Sequence, residues 1–334
     1  MNEGIYIYGI IKSPEHQEFG KIGIGDPASQ VLTLEYQDLA AVVSRNPFVV
    51  YDTLAKETIV KDLVMHQFVI EKVMKGFTIL PVKFGTMVES EEEAMQFLQK
   101  GYCRLHGELR KIDEKIELDV VATWELPKVM ATIYRNNAQI QKKQGEIVRM
   151  GTKVALEERV ALGKSVGEAL TAQKIGHQQL ILHALKDEVV DICLHELAGD
   201  EMIFNAAFLL EKKHEESFTH AIDMVDQKLD NSVNFRLVGP LPPYSFSTIL
   251  LEKIDERKLA EARKTLGLDG EITEKTLRDA YHQQAQKCHP DKSKNSKEDA
   301  FNFHRLHSAY KTLKAFLENG AMHVEVYRWE KDQR

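Results

Sequence analysis

Leu237-Val-Gly-Pro-Leu-Pro-Pro-Tyr-Ser-Phe246 divides the chain. Gly239 opens backbone angles closed to other residues, while Pro240, Pro242 and Pro243 fix φ and remove amide donors. Neither a helix nor a central strand continues through such a run, so residues 241–255 read as a Pro-rich pivot and linker. The two sides differ in charge. The chain has 334 residues and a formal net charge of −7. Residues 1–255 hold 28 Lys/Arg and 38 Asp/Glu, net −10, whereas residues 256–319 hold 13 and 10, net +3. An acidic body is a poor partner for a phosphate backbone, so no nucleic acid is expected. The basic segment suits an acidic partner.

Hydrophobic residues make up 43% of the chain, enough for real cores. No run approaches the roughly 18 apolar residues that span a bilayer, so no membrane is expected as a partner. The first residues lack the basic start and apolar core of a secretory signal. Cys103, Cys193 and Cys288 are scattered and odd in number, which argues against disulfides and metal clips and for a reducing cytoplasm.

Upstream of the pivot, residues 5–11 are apolar and β-branched and predict a buried first strand. Residues 31–36 and 39–44 predict a hairpin turning at Gln37-Asp38. Residues 58–74 predict a helix whose buried stripe is Ile59, Leu63, Phe68, Ile70 and Val73. Residues 77–84 form a strand that Pro81 places at an edge or bulge. Ser90 and the three glutamates after it start a helix reaching about residue 112. Residues 115–124 close the sheet of a first domain, 1–126. A second domain, 127–240, opens with helical residues Val129, Ile133 and Ile140 on one face. It continues with a long helix over 152–187, expected to pack on its own sheet, then strands near 189–197, 202–210 and 233–238 around a helix at 214–229. The expected fold class is α+β: two small ferredoxin-like α+β domains followed by an all-α module.

Downstream, residues 259–266 form a helix closed by Gly267. A second helix starts at Thr273, carries Leu277, Ala280, Tyr281 and Ala285 on one face, and stops before His289-Pro290-Asp291. A polar loop follows, and Ala300, Phe303, Leu306, His307, Tyr310, Leu313 and Leu317 mark a third helix. The module spans 256–319 and leaves a tail, 320–334. Its alternating stretch, residues 323–329, reads equally as a strand or an extended terminus.

Four stretches carry a resemblance. They are Tyr6-Ile-Tyr-Gly-Ile10, Ile79-Leu-Pro-Val-Lys-Phe-Gly-Thr86, Asn205-Ala-Ala-Phe-Leu209 and Val238-Gly-Pro-Leu-Pro-Pro-Tyr-Ser-Phe246. In this order they resemble the gas vesicle accessory proteins of the F and L type, over about residues 4–246; Leu241 stands where that family usually has Trp. Two antiparallel helices joined by a loop with His-Pro-Asp resemble a J domain of the DnaJ type, over about 256–318. The first resemblance implies association with the gas vesicle shell protein and other accessory proteins, located at gas vesicles in the cytoplasm. The second implies that His289, Pro290, Asp291 and Lys292, with Arg278 and Lys287 on the second helix, engage a DnaK-type chaperone. His282 and Gln283 occupy positions where J domains usually carry Lys or Arg, which thins the basic face. The reading is therefore an assembly factor. The alternative is a minor structural component of the vesicle with an inert J-like docking domain.

Several chemical motifs fail. His195-Glu196 begins like the HExxH of zinc proteases, but Gly199 occupies the second His position. Gly23-Ile-Gly25 lacks the third glycine of a dinucleotide fingerprint, and no Walker A sequence is present. His304 and His307 share a helix face without further ligands, and Cys288 beside His289 reads as a packing position. No nucleophile, base and orienter can be assembled, so the chain is expected to be no enzyme, with no metal and no cofactor.

Overall fold

The computed structural model describes residues 3–49, 51, 54–150, 156–229, 232–253, 256–270, 272–287, 296–319 and 322–329. The chain divides into two compact units, Met1–Asp113 with Ser247–Tyr327, and Glu114–Phe246 with Arg328–Arg334. The fold class is α+β with an all-α module, as the sequence predicts.

The first unit opens with strands β1 (Glu3–Lys12), β2 (Glu18–Lys21), β3 (Gln30–Tyr36) and β4 (Leu39–Pro47). Helix α1 (Lys56–Met74), short strands β5 (Ile79–Pro81) and β6 (Met87–Val88), and helix α2 (Glu91–Ile112) follow. The strands form one sheet in the order β2-β3-β4-β1-β5, with β6 also on β1. Gln37 at φ 56° turns β3 into β4 where the sequence places the hairpin. Along β1, Ile5 and Ile7 share one face, and a bulge between Ile7 and Gly9 brings Ile10 to the same core. Helix α2 covers that face with Ala94, Phe97, Leu98, Leu105 and Leu109. Its start is capped as predicted: the Glu93 N–H donates to Ser90 Oγ at 3.3 Å.

Two expectations are corrected here. Helix α1 buries His66, Val69, Ile70 and Val73, whereas Leu63 and Phe68 face outward, 44% and 46% exposed. The aromatic side of β1, Tyr6 and Tyr8, selects the His66 face, and hydropathy alone carried no sign of that. Residues 115–124 do not close this sheet. They form β7 (Lys115–Trp124), which pairs with strands of the second unit. Glu114, at φ 51°, occupies the left-handed region between α2 and β7. The alternating Ile116, Leu118, Val120 and Ala122 then fill the second core.

After β7 the second unit runs through α3 (Leu126–Asn136), α4 (Ala138–Met150) and α5 (Leu156–Leu185). It continues with β8 (Asp191–Leu194), β9 (Met202–Glu211), α6 (Glu215–Lys228) and β10 (Val233–Leu241). The sheet order β10-β7-β9-β8, all antiparallel, is the ferredoxin-like arrangement of a βαββαβ chain. Asn137 breaks α3 from α4, its Oδ1 accepting the N–H groups of Gln139 and Ile140 at 3.1 Å each. Val129, Ile133 and Ile140 are buried as predicted. The long helix α5 anchors through Ile181 and Leu185, while Leu156 and Val160 near its start are 76% and 61% exposed.

Where the sequence suggests a linker, residues Thr248–Lys253 form strand β11, and the tail supplies strand β12 (Met322–Tyr327). The two pair antiparallel from Thr248↔Tyr327 to Lys253↔Met322. Ile249 and Val324 enter the core beneath α2, Val82 bridges to Ile249, and Arg104 donates to the Val324 carbonyl at 2.7 Å. The ribbon thus belongs to the first unit. Between its strands lie α7 (Glu256–Leu266), α8 (Glu274–Lys287) and α9 (Ser296–Asn319).

Candidate functional site

In the first unit, two of the four resemblance stretches meet. The Gly85 N–H donates to the Tyr6 hydroxyl at 3.0 Å, and the Val82 N–H donates to the Tyr8 carbonyl at 3.0 Å. The Tyr6 hydroxyl also bonds His66 Nδ1 at 2.9 Å, and the Tyr8 hydroxyl bonds Ser44 Oγ at 2.8 Å. Burial drives His66 down to about 4, so it is neutral, and raises both tyrosines, Tyr8 to about 12. Buried polar groups paired this fully hold a turn in place. These motif residues therefore serve the fold.

In the second unit, the face of β7 turned away from the helical core carries Glu117 and Asp119. The pivot folds back across that face. Phe246 packs with Cys193, Ala207 and Leu209, while the Ser245 N–H and hydroxyl donate to the two oxygens of Glu117 at 2.8 Å each. Gly239 explains the approach: it sits at φ 145° beside a bulge, and a Cβ there would meet Leu118 Cδ2 at 2.5 Å and the Glu117 carbonyl at 2.9 Å. Glu117 is 2% exposed; burial, and then Asp119 beside it, push its carboxyl up to about 8 against the two Ser245 donors. Burial raises Asp119 as well, and its Oδ1 has no hydrogen-bond partner.

The last described residues close over this place. The Trp329 N–H donates to the Ser245 carbonyl at 2.9 Å, its carbonyl accepts from the Cys193 thiol at 3.5 Å, and its ring meets His195 edge-on at 5.2 Å. Arg328 pairs with Asp191. Burial lifts the Cys193 thiol to about 11, which makes it a poor nucleophile. Sequence reasoning missed Glu117, Asp119 and Ser245. The acids alternate with core residues and read as a solvated face, and only the folded pivot shows that the face is covered.

The module has its own core of Ala262, Leu266, Ile272, Leu277, Leu306, Ala309 and Leu313. Helix α7 ends as predicted at Gly267, φ 69°, where the Leu268 N–H reaches the Arg263 carbonyl and the Gly267 N–H reaches that of Lys264. Thr273 and Thr276 cap α8 reciprocally: the Thr276 N–H donates to Thr273 Oγ1 at 3.2 Å and the Thr273 N–H to Thr276 Oγ1 at 2.8 Å. Helices α8 and α9 join through Tyr281 against Tyr310, ring centroids 4.6 Å apart. Phe303 and His307, read as core positions, are exposed; Leu306, Ala309 and Leu313 are the buried residues. Arg278 is exposed on α8, as are His282 and Gln283. Lys287 is the last residue of α8. His289, Pro290, Asp291 and Lys292, together with Cys288, lie outside the described residues. Among the described residues no group of three His, Cys, Asp or Glu is placed to hold a metal, and no helix is long and apolar enough to cross a membrane.

Fold and sites together define a two-unit α+β protein that carries a three-helix module on a β-ribbon. Residues 4–248 match the family model described as gas vesicle synthesis protein GvpL/GvpF, and residues 263–316 match the DnaJ domain. The chain belongs to the GvpL/GvpF family and bears a DnaJ domain. It is 30% identical over 242 residues to gas vesicle protein F of Streptomyces sp. (strain CB03234), covering 72% of this chain and 98% of that protein. It is 25% identical over 258 residues to gas vesicle protein F of Nostoc sp. (strain PCC 7120), covering 75% and 100%. In fold it resembles the crystal structure of GvpF from Anabaena sp. PCC7120, with a TM-score of 0.62 at 22% identity over 73% of this chain and 97% of that one.

Proposed function

We propose that this chain is a non-enzymatic gas vesicle assembly factor. It holds shell or accessory gas vesicle proteins through the family body and recruits a DnaK-type chaperone through the module. One observation carries the reading: a GvpL/GvpF body over 4–248 and a DnaJ domain over 263–316 share one chain. A subunit that assembles a water-excluding shell exposes apolar surface before assembly. A partner with charged residues at 28% of its composition and net charge −7 keeps such a subunit dispersed. An ATP-driven chaperone brought to the same complex would release it in step with assembly. In this reading His289, Pro290, Asp291 and Lys292 engage the chaperone, and Arg278 and Lys287 steer its approach. The chain works at gas vesicles within the cytoplasm.

The test combines the purified chain, gas vesicle shell protein and a DnaK-type chaperone. The expected results are co-purification of all three and a stimulated ATPase that His289→Gln abolishes. Stimulation that survives the substitution removes the chaperone role. A second reading, a resident vesicle component with an inert module, draws on the exposed His282 and Gln283 at positions where J domains are usually basic. It predicts that the chain stays on washed vesicles, whereas an assembly factor is absent from them.

A further inference from the structure

We propose that the outer face of α1 docks an amphipathic helix of another protein, one whose apolar seam is bracketed by basic residues. The inference rests on the proposed function and names the face by which the family body holds its partner. Val60, Leu63, Val64 and Phe68 recur at i, i+3, i+4 and i+8 and form one outward stripe, with Val60 and Val64 51% and 60% exposed. Neighbouring large apolar side chains left in water mark an interaction surface, which singly scattered ones do not. The stripe is presented on a fixed base. Val69, Ile70 and Val73 are buried on the opposite face of α1, and His66 Nδ1 bonds the Tyr6 hydroxyl there at 2.9 Å.

Charge selects the occupant. Glu57 and Glu71 close the stripe at its two ends, each seven residues from Val64 and so on the same line of the helix, about 21 Å apart along its axis. Gln67 Nε2 donates to Glu71 Oε1 at 3.0 Å. Lys61 beside the stripe is engaged by Asp26 at 3.0 Å, and Lys56 and Lys72 lie about 100° round the helix from the glutamates next to them. A second copy is a poor occupant: two α1 stripes overlapped along their length, parallel or antiparallel, set glutamate against glutamate at both ends. An anionic lipid surface is repelled by the same two carboxylates. A helix with an apolar centre and Lys or Arg toward each end covers the stripe and meets both charges.

The test uses the full chain and two fluorescent helical peptides that share a leucine-rich seam, one bracketed by lysines spaced like Glu57 and Glu71 and the other by glutamates. Binding is read by fluorescence anisotropy at low salt. The lysine peptide is expected to bind about threefold more tightly or better, with the preference fading in high salt. Glu57→Lys combined with Glu71→Lys reverses the preference. Val64→Asp loses both peptides with its circular dichroism unchanged, and Phe68→Ser does the same should Val64→Asp disturb the helix. No binding, equal binding of the two peptides, or binding that both Val64→Asp and Phe68→Ser retain overturns the inference. So does dimerisation of the chain, or its flotation with anionic vesicles, that Val64→Asp abolishes. A pull-down with gas vesicle proteins separates this face from the function. Capture that Val64→Asp leaves unchanged overturns the face and leaves the proposed function standing. A chain that captures none overturns the proposed function, and the peptides still decide the face.

Discussion

Glu117 keeps its proton to about pH 8 in the folded chain, whereas its ordinary value is 4.5. Between those values the folded state binds a proton that the unfolded state has released. Stability therefore falls as pH rises from about 4.5 to about 8 and levels off above, and Asp119, also raised by burial, contributes with the same sign. Glu117→Gln should flatten that component in urea titrations at several pH values; an unchanged slope would refute the assignment of the proton to this pair. Tyr6→Phe leaves the Gly85 N–H and His66 Nδ1 without their shared partner, at an expected cost of about 1–3 kcal/mol by denaturant titration. Gly239→Ala places a methyl against Leu118 and the Glu117 carbonyl at a backbone angle that favours glycine. A loss of about 2 kcal/mol or more is expected, read as a lower melting temperature. At this scale the sequence identified Gly239 as a special position, and its prolines as breakers. It was silent on what the glycine approaches, because that contact is with a strand more than a hundred residues earlier.

At the scale of elements, most helices and strands lay open in the periodicity. The α2 cap at Ser90, the α7 stop at Gly267 and the α8 start at Thr273 appear where the local chemistry puts them. What local chemistry does not contain is the partner. β7 looked like the last strand of the first sheet because α2 precedes it directly, yet its register runs along β9 and β10. β11 looked like linker, and β12 stood open between strand and extended terminus, because each is short and their pairing spans the whole module. The ribbon offers an element-scale test. Val324 is 2% exposed in the first unit's core, so Val324→Asp buries an uncompensated carboxylate there. An expected loss of about 3 kcal/mol or more should appear in the unfolding of the first unit, while the helices of the module, which have their own core, keep their circular dichroism.

For the whole molecule, the family body and the module are separable in design. Lys253 and Met322 are paired neighbours, so a two-residue turn can join β11 to β12 directly. On the proposed function, replacing residues 254–321 in this way leaves a folded chain that co-purifies with gas vesicle proteins and does not stimulate a DnaK-type ATPase. Loss of both activities together would show that the body depends on the module. The resemblance motifs made both parts readable from the sequence, whereas the manner of joining was not: proline-rich composition argues for looseness, and only the pairing of residues far apart in the chain contradicts it.

That joining has a mechanical consequence. The module enters and leaves through the same end of an antiparallel ribbon, so any force applied to the module pulls Lys253 and Met322 apart at the open end. Load in that geometry falls on one rung at a time, as in a zipper, instead of on all rungs at once. The first rungs would part under modest force, and the rupture would halt where Val324 and Ile249 are plugged into the core and Arg104 grips the strand. A tether of this kind gives way by a few residues and then holds.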